Sequence, residues 1–230
     1  MLYHKIGIMG AMDDEICQIF ARMEAKSSRM LGGVEFFEGK LAGKDVVLCC
    51  AGMGKSNAAA ATQLLITAFG VDAVVFCGIA GNMTSQIGVG DAVISSDVVY
   101  HDAENRMIAE AYPHLQAYVA DAALVQAAEA ACQDAGVPYL VGRVATGDLF
   151  IGETAVKNRI AAAFAPACVE MEGAAVAHIA AKNDTPFVII RIMSDDADEA
   201  GAEKLVGKPF DLSAFIKDAT RICTRIAAGC

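Results

Sequence analysis

Hydrophobic positions along the chain fall into short, nearly continuous runs separated by longer stretches with helical spacing. Ile6–Gly10, Ala73–Cys77, Ala92–Tyr100, Tyr139–Thr146 and Phe187–Met193 read as strands. Apolar runs of four to eight residues without alternation belong to strands covered on both faces. Glu35–Leu41 and Asp45–Ala51 flank Ala42-Gly43-Lys44, a hairpin. Between these runs, helices are predicted from Asp13 to Lys26, with an acidic first turn, and over Lys55–Phe69, closed by Gly70. Further helices fit Asp121–Gly136 (stopped by Gly136-Val137-Pro138), Glu153–Phe164, Gly173–Lys182 and Leu212–Ala228.

Strand–helix alternation at this spacing predicts an α/β sandwich with a parallel or mixed sheet, folded as one domain over residues 1–230. In such sheets ligands sit beyond the carboxyl ends of the strands. Gly10-Ala11-Met12, Cys77-Gly78-Ile79, Thr146-Gly147-Asp148 and Ser194-Asp195 fall at such ends, and Cys77–Gly81 reads as a glycine turn.

Charge narrows the function. The formal net charge is −10 and no run of Lys or Arg occurs, which argues against nucleic acid and an anionic membrane surface. Mean hydropathy is +0.42, yet no apolar run reaches the roughly 18–20 residues that span a bilayer. The start of the chain carries no signal-peptide pattern. The eight cysteines lack C-x-x-C spacing and read as reduced core thiols of a cytoplasmic protein. The four histidines are isolated, so no metal site is expected.

With charge scarce, carboxylates placed where apolar runs break off need a reason, because they are costly to desolvate. Three such places occur: Asp13-Asp14-Glu15, Glu170-Met171-Glu172 and Ser194-Asp195-Asp196. Glu170 and Glu172 straddle a strand-to-helix transition, so one can enter a pocket while the other packs outward; a solvated pair is the alternative. Asp195 follows Phe187–Ile190 and Arg191, and burial there can keep a carboxyl protonated, as a general acid requires. Gly52-Met53-Gly54-Lys55-Ser56 imitates the end of a phosphate-binding loop. Cys49 stands where that loop needs its first glycine, and Asn57 where a dinucleotide fingerprint needs its last. A tight strand-to-helix turn fits better.

Taken in order, Gly7–Glu15, Gly52–Lys55, Gly78–Gly81, Tyr100-His101-Asp102, Gly147–Ile151, Val169–Gly173 and Arg191–Asp195 resemble the 5'-methylthioadenosine/S-adenosylhomocysteine nucleosidases of the nucleoside phosphorylase superfamily. The resemblance implies a three-layer α/β/α sandwich with a central mixed sheet and a homodimer. It also implies hydrolysis of the N9–C1' bond of a 5'-substituted adenosine, as in methionine salvage, with neither metal nor organic cofactor. Asp195 would protonate adenine N7, Glu15 would activate water, and Glu172 with the Met171 backbone would hold the ribose hydroxyls. Arg191 would support the water and acid network, and the Ile151 backbone would read the adenine edge. Phe150 would stack on the ring, Met12 and Met171 would wall the site, and Ile79 and Ser194 would complete the substrate-binding set. Glu170 is left without a role.

Three departures stand out. Ile79 replaces the serine of many members. Residues 103–118 lack the family's Phe-Gly-Tyr pattern for the neighbouring subunit's 5' pocket, leaving Met107, Ile108, Tyr112 and Pro113 as substitutes. Glu199 to Pro209 is longer than usual, and reads as a lid or a solvated loop. Phosphorolysis is disfavoured, because Phe76 and Cys77 precede Gly78 where cationic donors belong and Glu15 would repel the anion. The other readings are a nucleosidase for another 5'-substituted adenosine, such as 6-amino-6-deoxyfutalosine or 5'-deoxyadenosine, and a non-catalytic nucleoside-binding protein.

Overall fold

The computed structural model describes residues 3–205 and 212–229. The first half runs β1 (Lys5–Gly10), α1 (Asp13–Arg22), β2 (Glu24–Leu31), β3 (Val34–Leu41), β4 (Lys44–Cys50), α2 (Lys55–Phe69), β5 (Ala73–Asn82) and β6 (Ala92–Tyr100). Next come α3 (Asn105–Glu110), β7 (Tyr118–Val119), α4 (Ala122–Ala135), β8 (Tyr139–Thr146) and α5 (Thr154–Phe164). The chain closes with β9 (Cys168–Glu170), α6 (Gly173–Lys182), β10 (Phe187–Asp195), α7 (Glu199–Leu205) and α8 (Ser213–Gly229).

Side-chain alternation explains the layers. On β5, Val74 and Phe76 face a core shared with α2 and α6, while Val75 and Cys77 face a core shared with α1, α4 and α8. Strand β10 divides in the same way, with Ile189 on one side and Val188, Ile190 and Ile192 on the other. Helices therefore cover both faces, which gives the three-layer α/β/α sandwich. Helix ends obey local chemistry: Asp121 accepts from the backbone N–H groups of Ala123 and Leu124 at the start of α4, and Gly70 and Gly136 close α2 and α4 in the left-handed conformation.

The mixed sheet runs β10-β6-β8-β9-β5-β1-β4-β3-β2, and β10 also pairs with β5. Strands β5, β10, β6, β8 and β9 thus close on themselves, and β1 to β4 extend as a flap from the same β5. The two parts compete for one edge of β5. Strand β1 pairs as far as Met9↔Phe76, and β9 takes over at Gly81↔Val169. Between them the β5 edge from Cys77 to Ala80 has no neighbouring strand at the carboxyl ends of β1, β5 and β10. A cavity opens at this fork.

Several expectations change. The first helix stops at Arg22, and residues 24–31 form β2, exposed along almost its whole length. An edge strand with no buried face carries no alternation to read. The predicted glycine turn at Cys77–Gly81 is strand, continuous to Asn82. Helix α3 and strands β7 and β9 are additions. Of the predicted lid, 199–205 is helical and 206–209 lies outside the described residues.

The cysteines also depart from eight free thiols. Cys77 on β5 and Cys223 on α8 are joined in a disulfide, although 146 residues separate them. Sequence spacing gives no sign of a pair that only the packing of α8 onto β5 creates. Cys49, Cys132 and Cys168 remain free and buried, and burial raises the Cys132 thiol to about 12. Alkylation of the unfolded, unreduced protein should leave the Cys77 and Cys223 peptides linked in mass spectra. Finding both alkylated would contradict the bond.

Candidate active site

Each acid at the fork is held by the backbone of the element that carries it. Met12 is the N-cap of α1, and Glu15, three residues on, turns its carboxylate back over the helix start. Oε2 accepts from the N–H groups of Ala11 (2.6 Å) and Met12 (3.0 Å), and Oε1 accepts from Ile79 N–H (3.1 Å) on β5. Glu15 thereby takes up a donor that the fork leaves without a strand partner. Burial raises its pKa, opposed by Arg191 and these backbone bonds.

Glu170 and Glu172 occupy the step from β9 into α6. Glu170 accepts from the N–H groups of Glu172 (3.1 Å) and Gly173 (2.7 Å), capping α6, and receives the hydroxyl of Thr146. Thr146 Oγ1 in turn accepts from Ala174 N–H (2.8 Å). Glu172 Oε1 accepts from Gly54 N–H (2.8 Å), in the turn that resembles a phosphate loop. The anion at that helix start is thus a side chain of the protein, and Gly54 holds a backbone conformation (φ 90°) favoured by glycine.

Arg191 on β10 ties these acids together from full burial. Its Nη2 donates to Glu170 Oε2 in a short contact and lies 3.3 Å from Glu172 Oε2, while the guanidinium sits 4.2 Å from the centre of the Phe76 ring. Gly78 leaves space for this group, because a Cβ there would collide with Arg191 Nη1 and Glu15 Oε1. Burial is the main force on Glu172 and lifts its pKa to about 7, with Arg191 opposing. At the end of β10, Asp195 Oδ1 accepts from Ala197 N–H (2.7 Å), and Oδ2 lies 2.7 Å from Ser194 Oγ. Ser194 Oγ also faces Ala80 O at 3.2 Å.

All ten residues named from the sequence line one cavity of about 330 Å³: Met12, Glu15, Ile79, Phe150, Ile151, Met171, Glu172, Arg191, Ser194 and Asp195. Among the described residues its charged lining is four carboxylates and one guanidinium, with Glu170 as the fourth acid. Ile151 is buried, whereas Phe150, Leu149 and Met53 stand exposed at the rim. Of the substitutes expected to serve the neighbouring subunit's 5' pocket, Met107 and Tyr112 are exposed. No group of His, Cys, Asp and Glu among the described residues could hold a metal ion.

A family model described as the phosphorylase superfamily matches residues 5–228. A 5'-methylthioadenosine/S-adenosylhomocysteine nucleosidase from Shewanella sediminis is 41% identical over 199 residues, covering 84% of this chain and 86% of the relative. One from Geobacillus thermodenitrificans is 42% identical over 201 residues, covering 85% of each. The chain belongs to this nucleosidase family. Among solved structures, the Neisseria meningitidis nucleosidase in complex with methylthio-immucillin-A superposes with a TM-score of 0.89 at 30% identity, covering 99% of this chain and 100% of that one. A futalosine hydrolase from Helicobacter pylori superposes with a TM-score of 0.88 at 26% identity, covering 99% and 98%.

Glu170 is the residue that sequence reasoning missed in this nucleosidase. The available signal was an acid just before a helix whose start, Glu172-Gly173-Ala174, offers no Ser, Thr, Asp or Asn cap. Glu170→Gln removes one partner of a buried ion pair and should cost about 3 kcal/mol in urea unfolding. Glu38→Gln, at the half-exposed pair with Lys5, should stay within about 1 kcal/mol. Glu172 gives a pH signature. Its folded pKa exceeds the unfolded one, so its protonation favours the fold. The stability it contributes is complete below about pH 4.5 and is lost as pH rises through about 7. Glu172→Gln should flatten that slope in thermal melts.

Proposed function

We propose that this protein hydrolyses the N-glycosidic bond of 5'-methylthioadenosine and S-adenosylhomocysteine, releasing adenine and the 5-thioribose product. The proposal rests on the convergence of Glu15, Glu172 and Asp195, from three separate elements, on one cavity whose one cation among the described residues, Arg191, is already paired. Among the described residues, a phosphate nucleophile would meet four carboxylates and no free cationic donor in the lining. Water meets no such repulsion.

The chemistry divides among the three acids. Asp195 donates a proton to adenine N7, so that the N9–C1' electron pair leaves on a neutral base. Glu15 orients water towards C1' and takes its proton as the new C–O bond forms. Glu172 in its ionised form, with the Met171 backbone, accepts the ribose hydroxyls and steadies the sugar as positive charge develops. Acid and base on opposite sides of the sugar follow the logic of inverting glycosidases. Arg191 keeps Glu172 in place, the Ile151 backbone reads the adenine edge, and Phe150 stacks on the ring. Met12, Met171 and Ile79 supply apolar walls, and Ser194 orients Asp195. Neither metal nor cofactor enters these steps.

We further propose that the chain acts as a single nucleosidase domain in a cytoplasmic homodimer. The exposed rim of Met53, Leu149 and Phe150 supports the dimer, since a second copy would cover it. A second reading, a nucleosidase for another 5'-substituted adenosine such as 6-amino-6-deoxyfutalosine, is favoured by the likeness to a futalosine hydrolase and by the divergent 103–118 stretch.

Adenine release should be seen from methylthioadenosine and adenosylhomocysteine, unchanged by added phosphate; strict phosphate dependence would overturn the hydrolase. A higher kcat/KM for aminofutalosine would move the choice to the second reading. Glu15→Gln and Asp195→Asn should each lower kcat by ~10²-fold or more. Light scattering should give twice the mass of one chain.

A further inference from the structure

A cluster of charges beside the cavity has no part in the chemistry above. Lys55, the first residue of α2, places Nζ at 2.7 and 2.8 Å from the two carboxylate oxygens of Asp102 and 3.2 Å from Asp148 Oδ2. The backbone completes the figure: Lys55 N–H donates to Asp148 Oδ1 (3.1 Å), and Asp148 N–H donates to Asp102 Oδ2 (2.8 Å). Three segments that are distant in sequence are thereby cross-linked. Asp102 follows β6, Asp148 opens the loop carrying Phe150 and Ile151, and Lys55 directly follows Gly54, whose N–H holds Glu172. Nζ also lies 5.6 Å from the centre of the Tyr100 ring.

We propose that Lys55, Asp102 and Asp148 form a positioning clamp for the reaction, locking the turn that presents Gly54 N–H to Glu172 against the loop that presents Ile151 and Phe150 to the base. The sugar contact and the base contact are then set by one ion-pair network, so their spacing is fixed before substrate arrives. The groups are positioning residues: Lys55 and its partners reach Glu172 only through Gly54.

The charge states support the geometry. Burial opposes the charge on Lys55, yet Asp102 and Asp148 outweigh it and hold its pKa above the usual lysine range. The Asp102 side chain is 25% exposed and that of Asp148 55%, so the Lys55–Asp102 contact carries the greater share of the pairing. A single surface pair would contribute little, but a bidentate pair closed by two backbone bonds restricts geometry as well.

This clamp rests on the nucleosidase reading for its kinetic test, and a second readout makes it independent of turnover. Lys55→Met keeps the aliphatic stem and removes the charge. It should lower kcat/KM for methylthioadenosine by ~10- to 10²-fold, mainly through KM, as a misplaced contact does. Loosening Gly54 withdraws a hydrogen bond that stabilises the Glu172 carboxylate, so the acid limb of kcat/KM should move to higher pH. The other charges facing Glu172 are Arg191 on β10, Glu170 on β9 and Glu15 on α1; the variant leaves all three in place. The Glu172-dependent fall of stability with pH should move in the same direction in thermal melts, whether or not the protein turns over substrate. Lys55→Arg should recover most of the loss. A folded Lys55→Met protein with wild-type KM and an unmoved pH slope would overturn the clamp, as would Lys55→Arg being equally impaired. If Lys55→Met does not fold, the more exposed Asp148→Asn decides by the same two readouts. Absence of turnover in the wild type would overturn the nucleosidase reading alone, since the stability slope still reports on the clamp.

Discussion

Everything at the fork depends on a buried guanidinium. A lone cation at the position of Arg191 would cost several kcal/mol in lost hydration. Glu170 and Glu172 offset this by direct contact, Glu15 by a longer-range charge, and the Phe76 ring by its electron-rich face. The arginine and the acids lower the cost of one another's burial, alongside the backbone N–H groups that hold Glu15 and Glu170. Glu170 is spent wholly on this balance, capping α6 and bonding Thr146 as well. That frees Glu172 to turn its other oxygen towards the Gly54 turn and its charge towards the cavity.

The sheet supplies the space. Because β1 and β9 share one edge of β5 without meeting, a few residues of a central strand lie open where most strands have neighbours on both sides. The backbone there must bond to something, and Glu15 supplies the acceptor at Ile79. Glycine at 78 leaves room for Arg191 and Glu15 to approach the strand. A functional carboxylate and an irregularity of sheet topology are thus two aspects of one arrangement.

Legibility in the sequence followed burial. Strands β1, β5 and β10, covered on both faces, announce themselves as uninterrupted apolar runs, and α2 and α4 carry their stop glycines at 70 and 136. Strand β2, wet on both sides, has no pattern to betray it, and β9 is only three residues long. The order of short motifs brought ten cavity residues together because most lie at or just beyond strand ends, while Ile79 and Arg191 lie within β5 and β10 beside the fork. Glu170 escaped because its partners, Thr146 and Arg191, lie 24 and 21 residues away and meet it only after folding. Cys77 and Cys223 escaped for the same reason. Gly78–Gly81 was misread as a turn, since glycine signals close approach and bending equally well.

Glu15 illustrates how such a site constrains its own descent. The carboxylate that would take the proton from water also occupies three backbone donors, two at a helix start and one on a central strand. A replacement without an acceptor therefore disturbs folding together with chemistry. Duplicated copies drifting towards a purely binding role could not shed this acid freely. They would have to retain it as scaffold, or acquire another oxygen at the same place before letting it go.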